Sequence, residues 1–255
     1  MAHADLGAAF VTGAGKRIGR AIALKLAAQG YRVAAHFHES REHAQSVCDQ
    51  IVASGGQAVP LACDLANAAA LVNCLDDAVS SLGPLTCLVN NASVFAPDRF
   101  ETMRDADWER HFAVNVKAPL FLAQAFATML PPQQCGCIVN IIDQRVWKLT
   151  PQYYSYTLSK ATLWTATKTM AQALAPRIRV NAVGPGPTLP SIHQSDRDFI
   201  AQYDATPLRR ATTPEEIADA VLFLVSAPAI TGQMIALDSG QHLAWQTPDT
   251  AFEGS

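Results

Sequence analysis

Tyr156 and Lys160 are the first residues whose types and spacing could do chemistry. They stand four residues apart in a stretch with a helical pattern, so their side chains share one face of the predicted helix. A phenol ordinarily has a pKa of about 10, and a neighbouring ammonium stabilises the phenolate and lowers that pKa. Tyr156 could then act as a general acid. The Tyr-x-x-x-Lys spacing alone is a weak signal, because exposed helices often carry both residues.

Two further polar residues stand where they could assist. Asp143 follows the apolar run Cys137–Ile142, and parallel sheets place their ligand sites at the carboxyl ends of strands. Asp143 could instead only cap the next turn. Asn115 interrupts the apolar helical stretch Phe112–Leu122, where Asn is unfavourable. It could hold a water or a backbone kink near Lys160, or it could simply be a packed amide.

A glycine turn, residues Thr12–Gly19, connects the first apolar β-like run to a helical pattern. Glycine lets the backbone approach a pyrophosphate closely, and the free N–H groups at the start of a helix favour its charge. The spacing G-x-G-x-x-x-G is one residue longer than the usual dinucleotide fingerprint, and the turn could merely connect two elements. The candidate phosphate-binding residues are Gly13, Lys16, Arg17, Ile18 and Gly19.

The end of the second predicted strand indicates which dinucleotide is bound. NAD enzymes often place an acid at this strand end for the ribose hydroxyls, and here no acid occupies it. Glu39 is discordant, because a rotation could aim it at a 2′-hydroxyl. We expect NADPH rather than NADH, since several side chains could donate to a 2′-phosphate. These are Arg17, His38, Ser40 and Arg41.

The elements that must position these residues alternate along the chain. Short apolar runs alternate with helical patterns, which predicts an α/β fold: one Rossmann-like, doubly wound parallel sheet of about seven strands with helices on both faces. The predicted strands are Ala8–Val11, Tyr31–Phe37, Gln57–Ala62, Leu85–Asn90, Cys137–Ile142, Ile178–Val183 and Gln233–Leu237. The predicted helices are Ile18–Gln29, Arg41–Ser54, Ala68–Ser81, Asp105–Met129, Gln152–Ala175 and Pro214–Ser226.

Start signals and one irregular segment complete the predicted organisation. Thr150–Pro151 and Thr213–Pro214 each read as a helix start, the second with a glutamate at the third position. The segment Gly184–Pro207 is the least regular, so we expect a substrate lid there. No linker divides the chain, and residues 1–255 are predicted to form one domain.

Composition bounds the partners. With a net charge of -3 and a pI of about 6.1, the chain has no broad basic field for nucleic acid or anionic membrane, so we expect a small-molecule substrate. We expect no exported or membrane-spanning segment and a cytoplasmic location. Six cysteines without zinc-ligand or C-x-x-C spacing predict reduced thiols and no metal site, although Cys135 and Cys137 could form a redox pair.

Together these motifs resemble the short-chain dehydrogenase/reductase family from Ala8 to Leu243. The resemblance implies that Lys160 also holds the nicotinamide ribose and that Asn115 completes a proton relay. It further implies three pairs of cofactor contacts. These are Asp64 and Leu65 by the adenine, Asn91 and Ala92 by the ribose, and Pro185 and Gly186 by the nicotinamide.

Two departures from the common family pattern look like its pteridine reductase branch, which includes dihydromonapterin and dihydrofolate reductases. Arg17 stands where glycine is usual in the turn, and Asp143 stands where the catalytic Ser is usual. Ser93 and Phe95 fall where that branch places a polar contact and an aromatic stacked on the pterin. The string His36-Phe37-His38 is similar to its cofactor-phosphate segment, with Glu39 replacing a common Arg.

The resemblance implies NADPH-dependent reduction of a pterin C=N bond. Tyr156 would donate the proton, Asp143 would be hydrogen-bonded to it, and Lys160 would lower its pKa. Substrate contacts would be Arg17, Ser93, Phe95, Asp143 and Tyr156. Two alternatives stay open: a ketone or alcohol dehydrogenase, and a non-catalytic NADP-binding sensor. Relatives are commonly homotetramers, and the tail around Trp245 could reach a neighbouring subunit.

Overall fold

A parallel sheet lies at the centre of the computed structural model, which describes residues 6–191 and 194–245. Within those residues the sheet has the strand order β3-β2-β1-β4-β5-β6-β7, and every neighbouring pair is parallel. The strands are β1 (Ala8–Val11), β2 (Arg32–Phe37), β3 (Ala58–Ala62), β4 (Leu85–Asn90), β5 (Gly136–Ile141), β6 (Ile178–Pro185) and β7 (Met234–Leu237). The predicted α/β fold is confirmed.

The helices cover both faces of the sheet. They are α1 (Arg17–Ala28), α2 (Arg41–Ala53), α3 (Ala68–Leu82), α4 (Asp105–Phe112), α5 (Ala118–Met129), α6 (Tyr154–Leu174), α7 (Asp196–Asp204) and α8 (Pro214–Ser226). Alternate residues of each central strand point to opposite faces, so the strands supply two cores. Phe10 and Ile138 pack with α3 and α5, whereas Val11 and Val139 pack with α1 and α8.

The strand order reverses between β1 and β4, which places a crevice at their carboxyl ends. Strands β1, β4 and β5 run through the middle of the sheet and are almost wholly buried, as their apolar sequences predict. Loops that follow neighbouring strands at such a reversal diverge and leave room for a ligand. Polar residues that come directly after these strands therefore meet at one edge.

The predicted helix Asp105–Met129 is interrupted. A π-helical turn, Ala113–Lys117, separates α4 from α5 and contains Asn115, so the kink considered for this residue is present. As one stretch, Asp105–Met129 is long and apolar enough to cross a membrane by length and composition, and 39% of its most apolar window is buried. Core helices meet the same criteria, and Leu122 and Phe126 pack into the core against the sheet.

One of the two predicted helix starts is correct. The Thr213 hydroxyl accepts from the Glu216 amide, the Glu216 carboxylate accepts from the Thr213 amide, and α8 begins at Pro214. The Thr150–Pro151 signal is wrong, because α6 begins at Tyr154. The preceding residue, Tyr153, has a left-handed backbone with φ 54°, and its side chain caps nothing. The cap of α6 comes from a distant residue instead.

The segment predicted to be irregular contains structure. Strand β6 extends to Pro185, and α7 occupies Asp196–Asp204 after Ser195, whose hydroxyl accepts from the Asp198 amide. The prediction of an irregular segment throughout Gly184–Pro207 is therefore wrong for these residues. No residue of α7 is buried, so the helix depends on its cap rather than on a buried apolar face.

Candidate active site

A cavity of about 640 Å³ lies at the carboxyl ends of the central strands. Its volume is within the range of small-molecule and cofactor sites. The fold brings many of the predicted residues to its walls. They are Arg17, Ile18, Asn91, Ser93, Phe95, Asp143, Tyr156, Lys160, Pro185 and Gly186.

The Tyr156 hydroxyl donates to Asp143 Oδ2 over 2.9 Å, just beyond β5. Asp143 Oδ1 accepts from the Arg145 amide at 2.8 Å, so the turn cap considered for this residue is also present. Burial raises the pKa of Asp143, and the Arg145 amide and guanidinium only partly oppose it. Burial and the adjacent Asp143 raise the pKa of Tyr156 well above its ordinary value. Both groups therefore hold protons more strongly than in water.

Lys160 is buried beside this pair. Its Nζ donates to the Ile141 carbonyl over 2.9 Å and lies 5.8 Å from the centre of the Tyr156 ring. Burial lowers the pKa of Lys160 to about 8, although Asp143 opposes the shift. The prediction that Lys160 lowers the pKa of Tyr156 is wrong for this arrangement. The Lys160 ammonium donates to the Ile141 carbonyl, and the pKa of the Tyr156 phenol is set mainly by burial and by Asp143.

Asn115 is fully buried and uses its whole amide within the protein. Its Oδ1 accepts from the Val94 amide at 2.8 Å and from the Ser93 hydroxyl at 3.1 Å. Its Nδ2 donates to the Val94 carbonyl and to Ser159 Oγ. The side chain of Asn115 therefore holds the loop that carries Ser93. Ser93 also lies close enough to Tyr156 to moderate the raised pKa of the phenol.

An aromatic wall formed by Phe95 and Tyr153 closes one side of the cavity. The two rings are stacked, with centroids 4.3 Å apart and planes 9° apart, and the Tyr156 ring meets Phe95 at 82°. The Arg145 guanidinium lies 5.0 Å from the centre of the Tyr153 ring. Tyr153 covers one face of Phe95, so a flat ligand has the opposite face or the edge of Phe95. The stacking of a pterin on Phe95 that the resemblance implies is therefore restricted to that face or edge.

The glycine turn is shaped by close backbone approach. A Cβ on Gly19 would lie 2.1 Å from the Gly13 carbonyl oxygen, and one on Gly13 would lie 3.2 Å from the Cα of Ala92. The Thr12 hydroxyl accepts from the amides of Asn91 and Ala92, which ties the turn to the loop after β4. Helix α1 has no acid in its first turn, so its positive end favours an anion.

Arg17 and Lys16 stand at the start of α1 and are exposed. Arg17 has a left-handed backbone with φ 51°, a conformation that favours the glycine usual in the family. Its guanidinium donates to the carbonyls of Leu189 and Pro190 at 3.1 and 3.0 Å. Partial burial lowers its pKa from the ordinary value. Arg17 thus connects the glycine turn to the predicted lid.

His36 supports the glycine turn from behind. Its Nδ1 accepts from the Gly13 amide at 3.1 Å, and its Nε2 donates to the Cys63 carbonyl at 2.9 Å. Burial lowers its pKa to about 4, so the ring is neutral at pH 7. Both ring nitrogens are engaged within the protein. His36 is therefore placed as a support for the turn rather than as a donor to a phosphate.

The other cofactor candidates lie at the ends of β2 and β3. His38 is exposed, and its Nδ1 lies 3.8 Å from a carboxylate oxygen of Glu39. Ser40 stands at the start of α2 and makes no side-chain cap there. Asp64 is exposed and accepts from the Ala66 amide at 2.9 Å, whereas Leu65 is buried. These side chains lie outside the wall of the cavity that contains Tyr156.

Sequence reasoning missed several residues of the cavity. Tyr153 carries no spacing signal beyond its place in the string Gln152-Tyr153-Tyr154, and the α7 residues lie in a segment predicted to be irregular. Proximity to Asp143 was the available signal for Arg145. Further residues that line the cavity are Gln144, Lys148, Asp198, Phe199, Gln202 and Gln241.

The tail around Trp245 reaches the edge of this region. Lys148 Nζ donates to the Ala244 carbonyl at 3.2 Å, and Trp245 is exposed. The tail from residue 246 onward lies outside the described residues. Among the described residues, groups of three or more metal-ligating side chains do not occur. Burial raises the pKa of Cys137 to about 11, which argues against a reactive pair with Cys135.

Comparison with known proteins accords with this geometry. The family described as enoyl-(acyl carrier protein) reductase matches residues 13–242. The structure of FolM alternative dihydrofolate reductase 1 from Brucella canis, complexed with NADP, is 48% identical with a TM-score of 0.93, covering 97% of this chain and 98% of that one. The Brucella suis protein, also with NADP, is 48% identical with a TM-score of 0.94, covering 97% and 99%.

A third relative is a 3-oxoacyl-[acyl-carrier-protein] reductase from Staphylococcus aureus. It is 33% identical, and the match covers 92% of this chain and 98% of the relative. The matched region includes the glycine turn from Gly13 onward, Asp143, Tyr156 and Lys160. The chain therefore belongs to the short-chain dehydrogenase/reductase family and is an oxidoreductase.

Proposed function

We propose that this protein reduces a C=N bond of a pterin with NADPH, with dihydrobiopterin, dihydromonapterin and dihydrofolate as the candidate substrates. The observation that carries the proposal is the buried hydrogen bond between Asp143 and Tyr156. Reduction of C=N places a proton on nitrogen, so a carboxyl group beside the phenol is chemically suitable. A ketone reductase more often needs a neutral hydroxyl at this position to hold the carbonyl oxygen.

The residues fit a dinucleotide. The glycine turn leaves no room for a Cβ at Gly19, and the positive end of α1 follows it, which suits a pyrophosphate. In this proposal His38 and Ser40 would contact the 2′-phosphate. Pro185 and Gly186, which line the cavity, would contact the nicotinamide. The two Brucella proteins are complexed with NADP, which supports NADPH here. NADPH would supply the hydride.

The protein supplies the proton. Because the pKa of Tyr156 is raised, the phenol stays protonated at neutral pH and can donate to a substrate nitrogen. The phenolate left behind lies against Asp143. The raised pKa of Asp143 favours uptake of a proton from water, which the carboxyl group would then pass to the phenolate. Lys160 would hold the nicotinamide ribose. Asn115 completes the arrangement through the Ser93 loop rather than by direct proton transfer.

The substrate would lie between the aromatic wall and the lid. Ser93 and Arg17 offer polar contacts, and Arg17 already bonds the lid at Leu189 and Pro190. In this proposal residues 184–207 form the lid within a single domain, residues 1–255. A lid over the cavity excludes water from the reacting centre.

A ketone or alcohol substrate is the second candidate function. The specific observation that favours it is the 33% identity to a 3-oxoacyl-[acyl-carrier-protein] reductase over 92% of the chain. In that case Asp143 would replace a Ser without new chemistry. A binding-only sensor is the third candidate, and the presence of both Tyr156 and Lys160 in the cavity argues against it.

The test is NADPH oxidation by the purified protein, followed by the loss of the reduced nicotinamide's absorbance. One panel contains the three dihydropterins, and a second contains ketones that include 3-oxoacyl thioesters. We expect turnover on at least one dihydropterin. Turnover only on the ketone panel would establish the second candidate. Tight NADPH binding with no turnover on either panel would leave the sensor.

We also propose that the protein is a homotetramer in the cytoplasm. The proposal follows from the family resemblance, since relatives are commonly homotetramers, and several large apolar side chains of the described residues are exposed and available for such contacts. They include Phe100, Leu208, Leu243 and Trp245. Light scattering of the purified protein and fractionation of cells would test the two parts separately.

A further inference from the structure

A second buried polar cluster lies behind the aromatic wall. It consists of Asp98, His111 and Ser155, which come from the loop after β4, from α4 and from the first turn of α6. His111 and Ser155 are fully buried, and Asp98 is 7% exposed. None of the three lines the cavity. Buried polar groups of this kind are expensive unless they are fully hydrogen-bonded.

The direction of each hydrogen bond in this cluster is determined. The Ala96 amide donates to His111 Nε2 at 3.2 Å, so Nδ1 carries the ring proton. Nδ1 then donates to Ser155 Oγ at 2.7 Å, and the Ser155 hydroxyl donates to Asp98 Oδ2. Burial lowers the pKa of His111, which keeps the ring neutral as this pattern requires.

The cluster is attached to both halves of the aromatic wall. On one side, the Ala96 amide that bonds His111 follows directly after Phe95. On the other side, the Tyr153 amide donates to the Asp98 carbonyl at 2.9 Å. The Asp98 carboxylate also accepts from the Ser155 amide at 3.1 and 3.2 Å and thereby caps α6.

Tyr153 needs this support. Its left-handed backbone, φ 54° and ψ 52°, costs free energy in a non-glycine residue and persists only where the surroundings hold it. The ring of His111 also lies 6.1 Å from that of Tyr156. The cluster therefore connects Phe95, Tyr153 and Tyr156 from the side away from the ligand.

We infer that Asp98, His111 and Ser155 are positioning residues that fix the stacking of Phe95 on Tyr153, and so set the affinity of the cavity for a flat ring that they do not touch. The inference rests on the proposed function only in taking that flat ring to be a pterin.

The first test compares Ser155→Ala with Ser54→Ala. Ser54 is an exposed residue at the end of α2 that bonds only its own helix, so it controls for the substitution itself. In Ser155→Ala we expect the pterin KM to rise about tenfold, the factor expected for a lost hydrogen bond in a charged network. We expect kcat and the NADPH dissociation constant to change less than about twofold. Ser54→Ala should match the wild type.

A second pair of variants separates positioning from folding. His111→Gln keeps an acceptor for the Ala96 amide, whereas His111→Phe fills the space without one. We expect the pterin KM of His111→Gln to lie closer to the wild-type value than that of His111→Phe. Equal effects of the two variants would contradict the inference, because packing alone would then explain them.

Crystal structures of the wild type and of Ser155→Ala give a readout that does not depend on the substrate. We expect the variant to lose the parallel stack, whose ring centroids are 4.3 Å apart in the intact network. An unchanged stack overturns the inference, and so does a loss in kcat without a rise in the pterin KM. If the wild type reduces no pterin, the proposed function fails, and the stacking in the variant still decides the role of the cluster.

Discussion

The glycine turn and the aromatic wall line the same crevice, but they are held in different ways. The turn consists of consecutive residues, and its shape follows from missing Cβ atoms and from backbone N–H groups at the start of α1. The wall combines Phe95 with Tyr153, fifty-eight residues later, and depends on a buried cluster contributed by three elements. The dinucleotide side, formed by the glycine turn, is therefore shaped mainly by residues that are close in sequence. The substrate side, formed by the aromatic wall, is shaped by contacts between distant residues.

This difference predicts that substitutions on the two sides change different measured quantities. Changes in or behind the glycine turn should affect NADPH binding whatever the second substrate is. Changes on the opposite side should affect turnover or substrate affinity and leave NADPH binding intact. The largest expected effect concerns the chemistry between the two sides.

Replacement of Asp143 tests that chemistry. In Asp143→Ser the phenol of Tyr156 keeps a hydrogen-bond partner but loses the carboxyl group that returns its proton. We expect kcat for pterin reduction to fall by about 10²- to 10³-fold, as for other losses of a proton-transfer group, with an unchanged NADPH dissociation constant. Steady-state kinetics and NADPH titration measure the two quantities. Unchanged pterin turnover would remove Asp143 from the mechanism.

A pH effect on stability tests the support behind the glycine turn. The folded pKa of His36, about 4, lies below its ordinary value of 6.5. Between these pH values the unfolded chain binds a proton at His36 that the folded chain does not. The contribution of His36 to the free energy of unfolding is therefore fully present above about pH 6.5 and is lost as the pH falls towards 4. The loss approaches about 3 kcal/mol at the acid end.

Urea unfolding at pH 7 and pH 4.5 measures this effect. We expect His36→Gln to lose less free energy of unfolding between the two pH values than the wild type does. The exposed His43 offers a control, since His43→Gln should keep the wild-type dependence. A His36→Gln variant with the full wild-type loss would show that other groups control the acid sensitivity.

Gly19→Ala tests the local character of the turn. The new Cβ would meet the Gly13 carbonyl oxygen, which is backbone and cannot easily move. Overpacking of about 1–3 kcal/mol predicts NADPH binding that is weaker by about 10- to 100-fold. Gly55→Ala is the control, because a Cβ there meets nothing within 4 Å. It should cost some stability through its positive φ, and its NADPH affinity should equal that of the wild type.

Arg17→Gln should have the smallest effect, and it tests whether a residue of the glycine turn also holds the lid on the substrate side. The variant loses two exposed hydrogen bonds to the lid carbonyls of Leu189 and Pro190. We expect hydrogen exchange of the α7 amides to quicken by about three- to tenfold, which corresponds to a net loss of about 1 kcal/mol. Arg20→Gln, whose guanidinium bonds Gln50 instead, is the control. Equal exchange rates in both variants would show that Arg17 does not hold the lid.

Local patterns were sufficient wherever the interactions are local. Apolar runs and helical periodicity predicted the strands of the sheet and most helices to within two residues, and the Thr213–Pro214 start was correct because its cap partner, Glu216, is three residues away. The glycine turn, Asp143, Tyr156 and Lys160 were found because their types, order and spacing carry the chemistry.

Contacts between residues distant in sequence determined the features that local patterns did not predict. Helix α6 begins at Tyr154 rather than at the predicted Gln152 because Asp98 caps it from the loop after β4. The same residue holds Tyr153 in the aromatic wall through its carbonyl. Likewise, burial and Asp143 raised the pKa of Tyr156, where spacing alone had predicted that Lys160 would lower it. Periodicity and motif spacing report how a residue relates to its neighbours in the chain. Burial, caps from other elements and ring stacking depend on how the elements pack, which is why only the tertiary structure decided the substrate side.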